Sequence, residues 1–233
     1  MIASITLLAK NDYVGMTFWL ATAIMLASTV FFFVERQDVS RKWRTSMTVA
    51  GLVTGIAFWH YLYMREAHLQ GEVTTVFRYI DWLITVPLQI VEFYLILAAV
   101  TTVSSMLFWR LLGASLVMLV FGFLGETGLI DSTIGFVIGM AGWLYILYEI
   151  FSGEASQLSA NSNNAGGQFA FNTLRIIVTA GWAIYPIGYF LGYMGGGTDA
   201  GTVNLIYNVA DLVNKTAFGL AIWAGAQMDL SKS

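Results

Sequence analysis

The sequence predicts an all-α membrane protein, a bundle of seven transmembrane helices, and three observations predict it. Of 233 residues, 58% are hydrophobic and 11% charged, where an ordinary soluble domain carries about 25% charged residues. Mean hydropathy is +0.71. The chain also divides into seven apolar stretches, each near the roughly 20 residues that a helix needs to cross a bilayer. Only short polar segments separate them, so residues 1–233 read as one seven-helix transmembrane domain with no room for a second.

The first span covers residues 13–34 without a charge, and Asn11 and Asp12 precede it as caps. Ahead of it, MIASITLLAK has no basic segment before its apolar run and little room for a cleavage site. Either a signal peptide has already been removed or the first span directs insertion. The second span, 45–64, holds only His60 as a titrating group, and the third, 73–100, carries Arg78, Asp81 and Glu92. A short polar turn of Glu126, Thr127, Gly128 and Asp131 separates the fourth span, 104–125, from the fifth, 132–151. Glu149, near the end of the fifth, reads as a solvated or snorkelling acid. Residues 153–168, rich in Ser, Asn and Gly, read as a flexible loop. The sixth span takes 169–193, residues 195–197 form a turn, and the seventh span takes 201–228. The glycine pairs Gly135/Gly139 and Gly188/Gly192 permit close helix contact.

Basic residues set the orientation. Arg36, Arg41, Lys42, Arg44, Arg110, Arg175 and Lys232 fall on one side of such a chain, and only Lys10 and Arg65 on the other. The excess marks the cytoplasmic side, which puts the N-terminus outside and the C-terminus in the cytoplasm. The net charge of −3 comes with no basic cluster, which argues against nucleic acid as a partner. Zero cysteines exclude disulfides and thiol chemistry, and with two histidines a metal site is not expected.

Chemistry concentrates in the seventh and third spans. LIYNVADLVNKTAFGLAIW places Asp211 and Lys215 four residues apart in a membrane-like stretch, hence on one helix face. An ionisable group at mid-bilayer costs roughly 2.5 to 3.5 kcal/mol on insertion scales, so the pair marks either a function or a structural ion pair between helices. In the third span, with Asp81 at zero, Arg78 falls at about 60°, Thr85 at about 40°, Gln89 at about 80° and Glu92 at about 20°. That narrow stripe sets two carboxyls roughly 16 Å apart along the axis, too far for a two-carboxylate hydrolase and suited to a proton relay. Arg78 favours a carboxylate at Asp81, whereas Val91, Phe93, Leu95 and Ile96 around Glu92 favour a neutral acid. A desolvated lysine forms Schiff bases with carbonyl compounds, so an aldehyde cofactor at Lys215 would sit inside the relay.

The stretches FWHYLYMR from Phe58, RYIDWLITVPLQIVEFYLIL from Arg78, GWAIYPIGYF from Gly181 and LIYNVADLVNK ending at Lys215 resemble the microbial rhodopsins, most closely the blue-absorbing proteorhodopsins. The likeness spans essentially the whole chain. It implies all-trans retinal joined to Lys215 as a protonated Schiff base, with Asp81 as proton acceptor and Glu92 as cytoplasmic donor. Asp211 and Arg78 match the rest of the counterion complex, and His60 matches a histidine coupled to the acceptor. Trp82, Trp182, Tyr185 and Pro186 match the walls of the retinal pocket, and Tyr185 and Tyr207 are placed to give hydroxyl bonds to Asp211. The trio Asp81, Thr85 and Glu92 is the pattern of outward proton pumps, and Gln89 matches the position that separates green from blue absorbers.

The resemblance therefore implies a light-driven outward proton pump, absorbing blue light, in a bacterial inner membrane. It also implies a pentamer or hexamer, with His60 and Trp19 near the interface. The alternatives are a sensory photoreceptor with a slow photocycle, against which Glu92 argues because sensors need no donor, and a chromophore-free secondary transporter, against which the lack of an inverted repeat argues.

Overall fold

The computed structural model describes residues 7–195 and 197–231. Residues 1–6 of the leading apolar run, Gly196 of the 195–197 turn, and Lys232 of the charge balance lie outside the described residues. The chain is helical throughout, with no strand among the described residues.

Helix α1 (Tyr13–Glu35) starts where Asp12 accepts the Gly15 amide at 2.7 Å. A 3-10 turn at Arg41–Trp43 leads into α2 (Arg44–Leu69), which outruns the expected 45–64 by more than a turn. The extra turn is held by tertiary contacts: the Arg65 guanidinium lies 3.9 Å from the Trp19 ring centroid, and His68 Nε2 reaches both Asp12 oxygens at 3.0 and 3.1 Å. Gly71, at φ +75°, then reverses the chain. Helices α3 (Thr75–Val100), α4 (Ser105–Glu126) and α5 (Ser132–Phe151) follow, the last capped by Asp131 on the amides of Thr133 and Ile134.

The expected flexible loop at 153–168 is instead largely helical. Helix α6 (Glu154–Asn161) occupies its first half, and α7 (Ala165–Ile176) begins inside it. Glu149 is correspondingly buried rather than solvated. Its Oε1 accepts the Ala155 amide at 3.3 Å, and Arg110 pairs with both Glu149 and Glu154. The sixth span is not one continuous α-helix: a π-turn at Ile177–Gly181, helix α8 (Ile184–Tyr189) and a second π-turn at Phe190–Met194 complete it. The seventh span is α9 (Ala200–Leu230), 31 residues long.

Among the described residues six spans, through Met194, are apolar enough by length and composition to cross a membrane; α9 is long enough but carries Asp211, Lys215 and Asp229 within it. Neighbours pack in ring order, α1 on α2, α2 on α3, α3 on α4, α4 on α5, with α7 and α8 against α9 and α9 against α1. The distribution of polarity is that of a membrane bundle. Arg78, Asp81, Thr85, Gln89, Glu92, Asp211 and Lys215 are buried inside, while Trp59, Val137 and Ile176 face outward. Glycines set the closest approaches: a Cβ on Gly135 would stand 2.7 Å from the Phe121 carbonyl oxygen, and one on Gly188 2.4 Å from the Tyr207 ring.

Candidate functional site

The third and seventh spans meet at Lys215. Its Nζ donates to Asp81 Oδ2 on α3 and, at 3.3 Å, to Asp211 Oδ2 one turn back on α9. The spacing of four that joined Asp211 to Lys215 in the sequence is therefore a contact, and so is the predicted approach of Asp81. All three are almost wholly buried.

Asp211 is the more heavily bonded carboxylate. Tyr61 gives its hydroxyl to Oδ2 at 2.8 Å, Tyr185 to Oδ1 at 2.8 Å, and the Trp82 indole approaches both oxygens at 3.1 and 3.2 Å. Arg78 Nη1 stands 3.9 Å from Oδ2. The guanidinium is fixed by Tyr61 at 3.2 Å, Asn204 at 3.1 Å and Asn208 at 2.9 Å. Tyr207 does not reach Asp211 as expected. Its hydroxyl turns toward Glu126 Oε1 and the Tyr185 carbonyl, each at 3.3 Å, because its ring is wedged between Trp82 and the glycine face at Gly188. Tyr61 takes the expected place.

Asp81 keeps one oxygen free. Oδ1 has no hydrogen-bond partner, and His60 Nδ1 lies 3.7 Å away while bonded to the Ile56 carbonyl at 2.9 Å. Thr85 bonds back to the Asp81 carbonyl at 3.0 Å. Along the same helix Glu92 is fully buried with neither carboxyl oxygen in hydrogen-bond geometry, and Ser46 of α2 is a hydroxyl facing it.

Beside Lys215 opens a cavity walled by Trp82, Trp182, Tyr185, Pro186, Met118 and Leu119, with Gly122 and Gly139 leaving room on the far side. A long, flat, apolar aldehyde fits this donor set: a buried amine, aromatic faces, and two unpaired buried polar atoms, Asp81 Oδ1 on the carboxyl that touches the amine and Gln89 Nε2 on a residue of the cavity wall. Next to Lys215 in sequence, Asn214 donates to the Gly181 carbonyl at 3.0 Å, an approach that a Cβ at Gly181 would block at 2.0 Å.

A sequence profile of bacteriorhodopsin-like proteins matches residues 12–228. The chain belongs to the bacteriorhodopsin-like family. It is 57% identical to the green-light absorbing proteorhodopsin of Gamma-proteobacterium EBAC31A08 over 228 residues, covering 97% of this chain and 91% of that one. It is also 57% identical to the blue-light absorbing proteorhodopsin of Gamma-proteobacterium Hot 75m4, covering 96% and 90%. The crystal structure of blue light-absorbing proteorhodopsin from Med12 superposes with a TM-score of 0.82 at 63% identity, over 93% of this chain and 99% of that one. Membership brings the family's retinal chromophore and a multi-pass place in the membrane, and these relatives support a light-driven pump.

Sequence reasoning missed Tyr61, Asn204, Asn208, Asn214 and Glu126. The positions 204, 208, 211 and 215 form a polar stripe at helical spacing, a signal that would have found the two asparagines that hold Arg78. Glu126, expected in a turn, is the last residue of α4 and sits among the hydroxyls of Tyr79, Tyr193 and Tyr207.

Proposed function

We propose that this chain is a light-driven outward proton pump of a bacterial inner membrane, absorbing blue light through all-trans retinal bound to Lys215. The observation that carries the reading is the line Asp81, Lys215, Glu92: a cation centre in direct contact with one carboxyl, and a second, unpartnered carboxyl eleven residues along the same helix.

Lys215 would hold retinal, which would supply light absorption and an isomerisation that changes the setting of the proton at Nζ. Asp81 Oδ2 touches Nζ and takes that proton. Asp211 accepts from three side chains besides Lys215, which suits a permanent carboxylate and leaves little room for a proton. Arg78 lies between this centre and an outer cavity lined by Glu72, Thr74, Asn204 and Glu126, the way out for the proton. Glu92, fully buried with the Ser46 hydroxyl facing it and no charged group among its recorded neighbours, is the arrangement that stores a proton for return to Nζ. Gln89, an amide on the cavity wall, stabilises positive charge held near the nitrogen and so widens the excitation gap, which supports blue absorption.

The N-terminus is placed outside and the protein is taken to work as a pentamer or hexamer, Trp19 lying with Arg65 on the outer face of α1 and α2. Illuminated cells carrying the retinal-loaded protein should acidify the medium in a protonophore-sensitive way, and Asp81→Asn should abolish that signal and move the band to the red. Retinal binding without any external pH change would overturn the pump.

A further inference from the structure

At the end of the bundle where α2 begins and α9 finishes, one cluster has no part in the mechanism above. Asp229, in the last turn of α9, accepts from Lys42 Nζ at 2.8 Å, from the Trp43 indole at 2.9 Å and from Asn164 Nδ2 at 2.5 Å. The partners come from the 3-10 turn before α2 and from the N-cap of α7. The side chain of Lys42 is 44% exposed, that of Asp229 10%, and Trp43 is fully buried, so the cluster steps inward from water. The 3-10 turn packs on α3, and Trp43 shares an apolar cluster with Phe93, Ile96 and Leu97. Trp43 also precedes by three residues the Ser46 that faces Glu92. Trp43 thus lies about one helical turn from Ser46, toward the end of the bundle where α2 begins.

An indole N–H donates and cannot accept, so the ring passes no proton along. A proton bound for Glu92 along this side would pass only if the ring swung away. Asp229 would keep Lys42 and Asn164 during such a swing, so opening breaks one hydrogen bond and leaves no bare carboxylate. We propose that Trp43 and Asp229 are positioning residues that set the rate at which Glu92 regains its proton. Their bond holds the indole across the inner approach, and the ring must leave Asp229 before a proton from bulk water reaches a Glu92 carboxyl oxygen. This rests on Glu92 being the donor.

Flash photolysis of the retinal-loaded protein in vesicles, with a pH-indicating dye at alkaline pH, tests both. Trp43→Phe keeps a smaller aromatic ring and removes the N–H, and Asp229→Asn weakens the same bond from the other side with the indole unchanged. A hydrogen bond to a charged group is worth roughly a factor of ten in the opening equilibrium, so Trp43→Phe should speed proton uptake by about tenfold, and Asp229→Asn by less. The dark band and the step in which Nζ loses its proton should not change. In a Glu92→Gln background neither variant should alter recovery. Uptake in Trp43→Phe as slow as in the parent, or the same acceleration in the Glu92→Gln background, overturns the latch. Unchanged recovery in Glu92→Gln alone overturns the donor assignment instead. If Asp229→Asn forms no visible band, Trp43→Phe decides by itself.

Discussion

Gln89 carries a buried amide nitrogen with no hydrogen-bond partner in the same cavity as Lys215. On the blue-absorbing reading, Gln89→Leu removes the dipole that steadies positive charge near the nitrogen, and the absorption maximum should move to the red; an identical spectrum would remove Gln89 from tuning. Asp12 is a second residue whose role follows from its bonds. Burial pushes its carboxyl up, but the Gly15 amide and His68 outweigh that and hold it below its ordinary value of 3.8. A carboxyl lowered by folding stabilises the fold above its unfolded value, and the contribution fades as pH falls through the folded one. Thermal loss of the visible band should therefore come earlier in Asp12→Ala at neutral pH, by the roughly 1 kcal/mol of an N-cap plus the lost pair. The difference should shrink only below pH 3.8. Asp12→Asn, which keeps the cap, should lose less. Among single residues, Lys215, Asp211 and the α3 stripe were legible because helical spacing fixes which side chains share a face. Tyr61 and Glu126 were not, since their partners lie on other helices and no local spacing brings them together.

At the scale of elements, all seven spans stand where hydropathy put them, with ends shifted by a few residues. What the sequence hid were features made by tertiary contact. The segment 153–168 has loop composition, yet α6 forms there because Glu149 accepts the Ala155 amide in its first turn and Arg110 ties Glu149 to Glu154. Ala155 and Ser159 are buried beneath it. The π-turns of the sixth span were equally invisible, as nothing in IVTAG shows that Asn214 will bond the Gly181 carbonyl. If Arg110 is the clamp, Arg110→Ala should expose residues 153–164 to limited proteolysis from the side on which α6 lies, while leaving the retinal band in place. Resistance equal to that of the parent would mean that α6 is held by its buried face alone.

For the whole molecule, the question that geometry leaves to charge is which way the bundle faces. Arg36, Arg41, Lys42, Arg44 and Arg110 gather at the end carrying α6, and Arg175 lies with its guanidinium 5.0 Å from the Phe151 ring near the same end. Lys10 and Arg65 are at the other, with the Asp12–His68 pair. Short positively charged segments stay in the cytoplasm, so α6 and Trp43 should face inward and the cavity at Glu72 outward. The direction of pumping depends on this, because Asp81 lies toward the Glu72 end of α3 and Glu92 toward the other. The chain has no cysteine, so single thiols report side without a background. Both Glu72 and Asn161 are exposed. In intact spheroplasts a membrane-impermeant maleimide should label Glu72→Cys at once and Asn161→Cys only after lysis. The reverse pattern would turn the bundle over, and with it the assignment of Asp81 to the outer side.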